Sequence, residues 1–207
     1  MQMTTTQEQK ETGRVEAFSD GVFAIAITLL VLDLKETHDG SSGDLWGELL
    51  KQWPTLIAFL NSFATILIIW INHHNLFSNI RRTNNLFMML NGLLLLCVTF
   101  LPYSTSVVAE HYKHPGETVG AALYAGTFFI MSCAFNLLWR YASHKHRLIS
   151  KEITTEDVES INRQYLLGPT AYGLALFLAF VNVTSSLVLT IILAIFYAVT
   201  ASTSRRR

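Results

Sequence analysis

Charge is scarce in this sequence. Asp, Glu, Lys and Arg together make up 14% of its 207 residues, against about 25% in an ordinary soluble domain. The fifteen basic and fifteen acidic residues cancel, so no net basic field exists to recruit nucleic acid. Cysteine is nearly absent. Cys97 and Cys133 are the only two, and each lies in an apolar stretch, where a thiol behaves as a small buried hydrophobe. A disulfide framework and a CxxC metal knuckle are both excluded. A phosphate-binding glycine loop and a nucleophile elbow are missing as well. The seven His residues form no ligand pattern: His73 and His74 are adjacent and face different sides of a helix, His111 and His114 sit in a loop, and no carboxylate joins a His pair at HExxH spacing. Enzymatic, metal and cofactor chemistry are therefore not expected.

What the sequence has is long uncharged runs. Residues 53–77, 84–109, 118–139 and 164–204 contain no charged side chain. A helix rises about 1.5 Å per residue, so about 20 residues cross the hydrocarbon of a bilayer. The last run is long enough for two helices joined by a hairpin near residues 182–184. The apolar segment near the N-terminus is shorter, with only twelve residues between Asp20 and Asp33, or about 18 Å of helix. A membrane helix with a carboxylate near each end needs protein or water around it. Reading it as a secretory signal, with Lys10 and Arg14 as the basic region, fails at Asp33, Lys35 and Glu36, where a small-residue cleavage site belongs.

The expectation is an all-α integral membrane protein, a single six-helix transmembrane domain over 1–207 with spans 15–34, 53–77, 85–109, 118–141, 164–181 and 184–203. Trp53-Pro54 suits the start of the second span. Pro102 and Gly168-Pro169 are expected to kink the third and fifth. Thr154-Thr155 ahead of Glu156-Asp157 reads as the cap of a short amphipathic helix over 153–158. With six spans, twelve Lys and Arg fall on one side, and Lys35, Lys51 and Lys113 on the other. The positive-inside rule then puts both termini in the cytoplasm of a cell-membrane protein.

Along the first span, Phe18, Val22, Ile25, Leu29 and Leu32 recur at spacings of 4, 3, 4 and 3, one stripe of a helix. Ala17, Gly21, Ala24 and Thr28 form a small-residue strip beside it, of the kind that lets membrane helices approach closely. Two readings stand. The stripe is the core of a packed bundle, or identical stripes from several subunits face one another around an axis and gate a pore by dewetting.

The residues around that helix carry a resemblance. Arg14-Val15-Glu16-Ala17-Phe18-Ser19-Asp20-Gly21 leads into the short apolar helix. The second span ends Trp70-Ile71-Asn72-His73-His74-Asn75-Leu76-Phe77, with Trp-x-x-His followed by Leu-Phe. The third contains Thr99-Phe100-Leu101-Pro102. Together these resemble the transmembrane protein 175 family, endosomal and lysosomal potassium channels with shorter prokaryotic homologues. The resemblance implies a homotetramer of six-helix units whose first helices line a central pore. It implies a constriction at Ile25, with Thr28, Leu29 and Leu32 also lining the path, and a supporting polar network of Arg14, Ser19, Asp20, Trp70 and His73. The implied partners are potassium and other monovalent cations, the lipid bilayer and further copies of the chain.

On this reading a hydrated cation is drawn in by Asp20 or by the acidic first loop (Glu36, Asp39, Asp44, Glu48). It sheds water at Ile25, where Thr28 hydroxyls partly replace the lost ligands. Thr118-Val119-Gly120 imitates the start of a carbonyl filter, but Ala121-Ala122 follows instead of Tyr-Gly. A carbonyl filter needs the whole TVGYG loop. The competing classes are a secondary transporter or proton-coupled carrier, favoured by inverted repeats that this sequence lacks, and a non-conducting membrane scaffold.

Overall fold

In the computed structural model the chain is helical throughout its ordered elements. The structure describes residues 2–34, 46–47, 50, 52–150 and 152–204. The acidic first loop (Glu36, Asp39, Asp44, Glu48), Lys35, Lys51, Lys151 and residues 205–207 lie outside the described residues. Six long helices follow one another: α1 (Gln2–Leu29), prolonged by a 3-10 turn at Leu30–Asp33, α2 (Trp53–Asn79), α3 (Asn85–His111), α4 (Glu117–Ser143), α5 (Thr155–Val181) and α6 (Val183–Ser204).

Five segments, Thr12–Leu32, Trp53–Asn79, Asn85–His111, Glu117–His146 and Thr155–Val181, are long and apolar enough to cross a membrane, and Val183–Val199 is a shorter apolar helix. At 27 residues each, α2 to α5 reach about 40 Å. Within hydrocarbon, helices satisfy every internal backbone group, so the ends decide where each begins. Asn84 accepts from the Phe87 N–H at 2.9 Å to start α3. Pro54 occupies the first turn of α2, where its missing N–H costs nothing. Asn182 breaks the final run and accepts from the Ser185 N–H at 2.8 Å to start α6.

One expectation changes. Residues 153–158 do not form a separate short helix: Thr154 caps α5, and residues 155–158 are its first turn. Thr154 and Asp157 make a reciprocal capping box there. No Gly or Pro lies between Asp157 and Gln164, so nothing stops the capped turn from running on into the membrane span. Pro102 and Pro169 sit inside α3 and α5 without ending either.

Helix α4 is the centre of the bundle, packed against α3, α5 and α6. Its Phe128, Met131, Leu138 and Trp139 are buried, as are Leu94, Val98 and Leu101 of α3. Lipid is as apolar as leucine, so close fit and hydrogen bonds do the joining. Asn61 Nδ2 donates to Tyr124 Oη at 3.0 Å and to Thr190 Oγ1 at 3.3 Å. The Ser62 hydroxyl lies 2.8 Å from both Thr105 Oγ1 and Tyr124 Oη, which ties α2, α3, α4 and α6 at one level. At one end of the bundle the α2–α3 and α4–α5 connections pair through an Ile80–Ile149 bridge. Helix α1 lies against α2 and α3.

Candidate functional site

Helix α1 has two faces. Ser19, Phe23, Ala26 and Leu30, at spacings of 4, 3 and 4, are buried against α2 and α3. On the other side Phe18 is 68% exposed, Ile25 59%, Leu29 41% and Leu32 65%. Ala17, Gly21, Ala24 and Thr28 are exposed beside them, and Val22 is half-buried. The stripe is thus not the core of this chain; a seam one face away is. The Thr28 hydroxyl proton is directed into its own helix, toward the carbonyls of Ile25 at 2.9 Å and Ala24 at 3.1 Å. That leaves the oxygen lone pairs as the outward-facing polar feature.

The buried face is fastened by side-chain hydrogen bonds at one end. The Trp70 indole N–H donates to Asp20 Oδ1 at 2.8 Å. The Ser19 hydroxyl donates to the Val15 carbonyl at 2.8 Å and accepts from Asn91 Nδ2 at 2.9 Å. Because that amide nitrogen is on Ser19, Asn91 Oδ1 is the acceptor for His73 Nε2 at 2.9 Å, which fixes the imidazole proton on Nε2. Its Nδ1 is buried without a partner. Phe23 meets the His73 ring edge-on at 5.2 Å, and Phe77 stacks on the other side at 4.4 Å. One turn away, His74 Nδ1 lies 2.9 Å from Glu16 Oε1.

Ser19, Asp20, Trp70 and His73 are therefore brought together, while Arg14 is exposed and makes no hydrogen bond to the group among the described residues. Three members escaped sequence reasoning: Asn91, which bridges Ser19 and His73, and the Glu16–His74 pair. Asn91 had a signal, since an amide inside the uncharged run 84–109 needs a partner in hydrocarbon. Thr118, Val119 and Gly120 lie in the first turn of α4, so this tripeptide is helical and not an extended carbonyl loop. No group of His, Cys, Asp and Glu suited to a metal occurs among the described residues. Cys97 and Cys133 are free.

Known proteins resemble this chain in sequence and in fold. The model of the family described as endosomal/lysosomal potassium channel TMEM175 matches residues 14–102, the stretch that holds the exposed stripe, the clamp and Pro102. A potassium channel of Chamaesiphon minutus is 46% identical over 198 residues, covering 95% of this chain and 98% of the relative. The chain belongs to the TMEM175 family. A crystal structure of a lysosomal potassium-selective channel TMEM175 homologue from Chamaesiphon minutus superposes with a TM-score of 0.85 at 44% identity, over 93% of this chain and 99% of that one. The Homo sapiens relative, named an endosomal/lysosomal proton channel, is 33% identical over 138 residues, covering 62% of this chain and 27% of its own length. As a TMEM175 member with five to six apolar helices, the chain is a multi-pass membrane protein.

Proposed function

We propose that this TMEM175 protein is a potassium-permeable channel, a homotetramer in the cell membrane with both termini cytoplasmic, whose conduit is lined by the exposed face of α1 from each copy. The observation that carries the proposal is the opposition of the two faces of α1. One is clamped at Ser19 and Asp20 to α2 and α3, and the other presents Ile25, Thr28, Leu29 and Leu32 outward. Its charge-free part, between Asp20 and Asp33, is by itself too short to cross hydrocarbon, and a span with a carboxylate near each end calls for protein or water around it. The strip of Ala17, Gly21 and Ala24 permits a close approach of copies about an axis.

Four Ile25 side chains form the constriction. A cation passing an aliphatic ring must give up water, and potassium gives it up more readily than sodium. Thr28, one turn on, offers lone pairs to the partly dehydrated ion. Selectivity comes from this dehydration step and not from a TVGYG filter, and conduction needs no cofactor. The clamp acts behind the wall: because Trp70 and Asn91 hold α1 from the far side, the bore at Ile25 is set by α2 and α3.

The test is planar-bilayer recording of the reconstituted protein under potassium/sodium gradients. Unitary currents with a reversal potential displaced toward potassium are expected. Turnover at carrier rates, or no current, refutes the channel reading. Retention of those currents and that preference in Ile25→Asn removes Ile25 from the constriction.

A further inference from the structure

A cavity of about 190 Å³ lies between α2, α3 and α6, at the end of the bundle opposite the Ile80–Ile149 bridge. Trp53 and Tyr112 stand at its outer end, ring edge to ring face with centroids 5.5 Å apart. Asn61, Tyr124 and Thr190 form its inner end, about two helical turns further along α2. Between the two ends the walls are aliphatic, from Ile57, Val108, Leu187 and Val188, and no lining residue is charged. The nearest cation is Lys113, whose Nζ lies outside over the Trp53 and Tyr112 rings, 5.9 and 5.5 Å from their centroids.

At the inner end the hydroxyl protons are all committed. Thr105 gives its proton to the Leu101 carbonyl at 2.8 Å, so Ser62 is the donor in its 2.8 Å contact with Thr105. Tyr124 must then donate to Ser62, while Thr190 donates to the Leu187 carbonyl at 2.8 Å. Neither Tyr124 nor Thr190 keeps a proton for Asn61, so both accept from its Nδ2. That order fixes the amide and turns Oδ1 away from them. Asn61 is only 7% exposed, and its Oδ1 is buried with no hydrogen-bond partner among the described residues. A stranded acceptor of this kind is costly and calls for a donor.

The occupant is specified by that oxygen and by the walls. A hydrocarbon, an ether or an ester brings no proton. A carboxylate would pair with Lys113 at the mouth and leave Oδ1 unmet. A lone water would meet Oδ1 but not the apolar walls, and an apolar cavity of about 150 Å³ stays dry and takes up benzene. We infer that the cavity binds a small neutral hydrophobe with one hydroxyl, of alkylphenol size, whose O–H donates to Asn61 Oδ1. No residue of α1 lines the cavity, so the site stands whether or not the protein conducts.

The experiment photolabels the full-length protein in phosphatidylcholine vesicles with an alkylphenol carrying a diazirine in its chain, and maps the label to peptides. Label is expected on the stretches of α2 and α6 around Ile57 and Val188. Excess 4-propylphenol should displace it. Its methyl ether, matched for the amount dissolved in the vesicles, should be about tenfold weaker, the loss of one buried hydrogen bond, and 4-propylbenzoate weaker than the phenol too. Asn61→Leu removes the acceptor and strands no proton, so phenol and ether should then compete equally. Ala109→Phe brings a ring into the cavity from a half-buried position on its wall and should abolish labelling. Equal competition by phenol and ether in the unaltered protein overturns the inference, and this reading does not depend on either variant folding. Label elsewhere, stronger competition by the benzoate, or a phenol preference that survives Asn61→Leu overturns it as well. So does absence of displaceable label, the result if a lipid chain or a neighbouring copy fills the space.

Discussion

The indole N–H of Trp70 on α2 donates to Asp20 Oδ1 on α1 at 2.8 Å, so the carboxylate at one end of the short apolar segment is held by the neighbouring helix. Trp70→Phe keeps the ring and removes the donor. It is expected to leave the protein assembled but change open probability, and Asp20→Asn to do the same. The double variant should then show a coupling of about 1 kcal/mol, the usual net worth of such a bond. Strictly additive effects on gating would separate the two residues.

At Ile25 the expectation concerns the ion. Each 1.4 kcal/mol taken off a barrier speeds crossing about tenfold. Replacing the aliphatic ring by amides in Ile25→Asn should therefore raise unitary conductance roughly several-fold and admit more sodium. Unitary currents and bi-ionic reversal potentials measure both.

Thr28 is tested by isosteres. Thr28→Val preserves shape and loses the outward lone pairs, so potassium current should fall. Thr28→Ser retains the oxygen and should restore most of it. Equal currents in the two variants would assign Thr28 a packing role alone.

Asn91 serves two buried partners, Ser19 and His73. Asn91→Leu leaves the His73 Nε2–H without an acceptor and takes one of the two bonds of Ser19, whose hydroxyl keeps the Val15 carbonyl, with an expected loss of about 1–2 kcal/mol in a membrane interior. This is read as a lowered unfolding midpoint in detergent and a smaller tetramer fraction. Ser19→Ala, which removes only one of the Asn91 bonds, should cost less.

The cap of α5 gives a control remote from α1. Thr154→Ala removes the side-chain half of the capping box, leaving the backbone N–H of residue 154 on Asp157, and should cost about 1 kcal/mol. Thr154→Ser should be close to neutral, and neither should alter ion preference. Thermal unfolding followed by helical circular dichroism, together with reversal potentials, tests both parts.

Much of the architecture was legible because hydrocarbon is an exacting solvent. Residues 53–77 and 84–109 must be helical spans once they lack charge and exceed the bilayer thickness. Asn182 had to mark a break in a run too long for one crossing. The motif residues Ser19, Asp20, Trp70 and His73 were recognisable as a set, although their partners were not: Asn91 lies far along the chain from Ser19, and no spacing rule connects residues on different helices. The extension of α5 back to Thr155 was missed because the charge that ends a membrane span does not end a helix.

The sequence by itself determined where the long apolar helices lie and which residues of α1 share a face, since charge and period are local properties. Only the tertiary structure decided which face turns inward. Both sides of α1 are apolar, Phe23, Ala26 and Leu30 on one and Ile25, Leu29 and Leu32 on the other, and in lipid an outward leucine costs nothing. Hydropathy therefore cannot separate them. The choice is made by the hydrogen bonds that Trp70 and Asn91 offer from α2 and α3, which exist only once the helices have met.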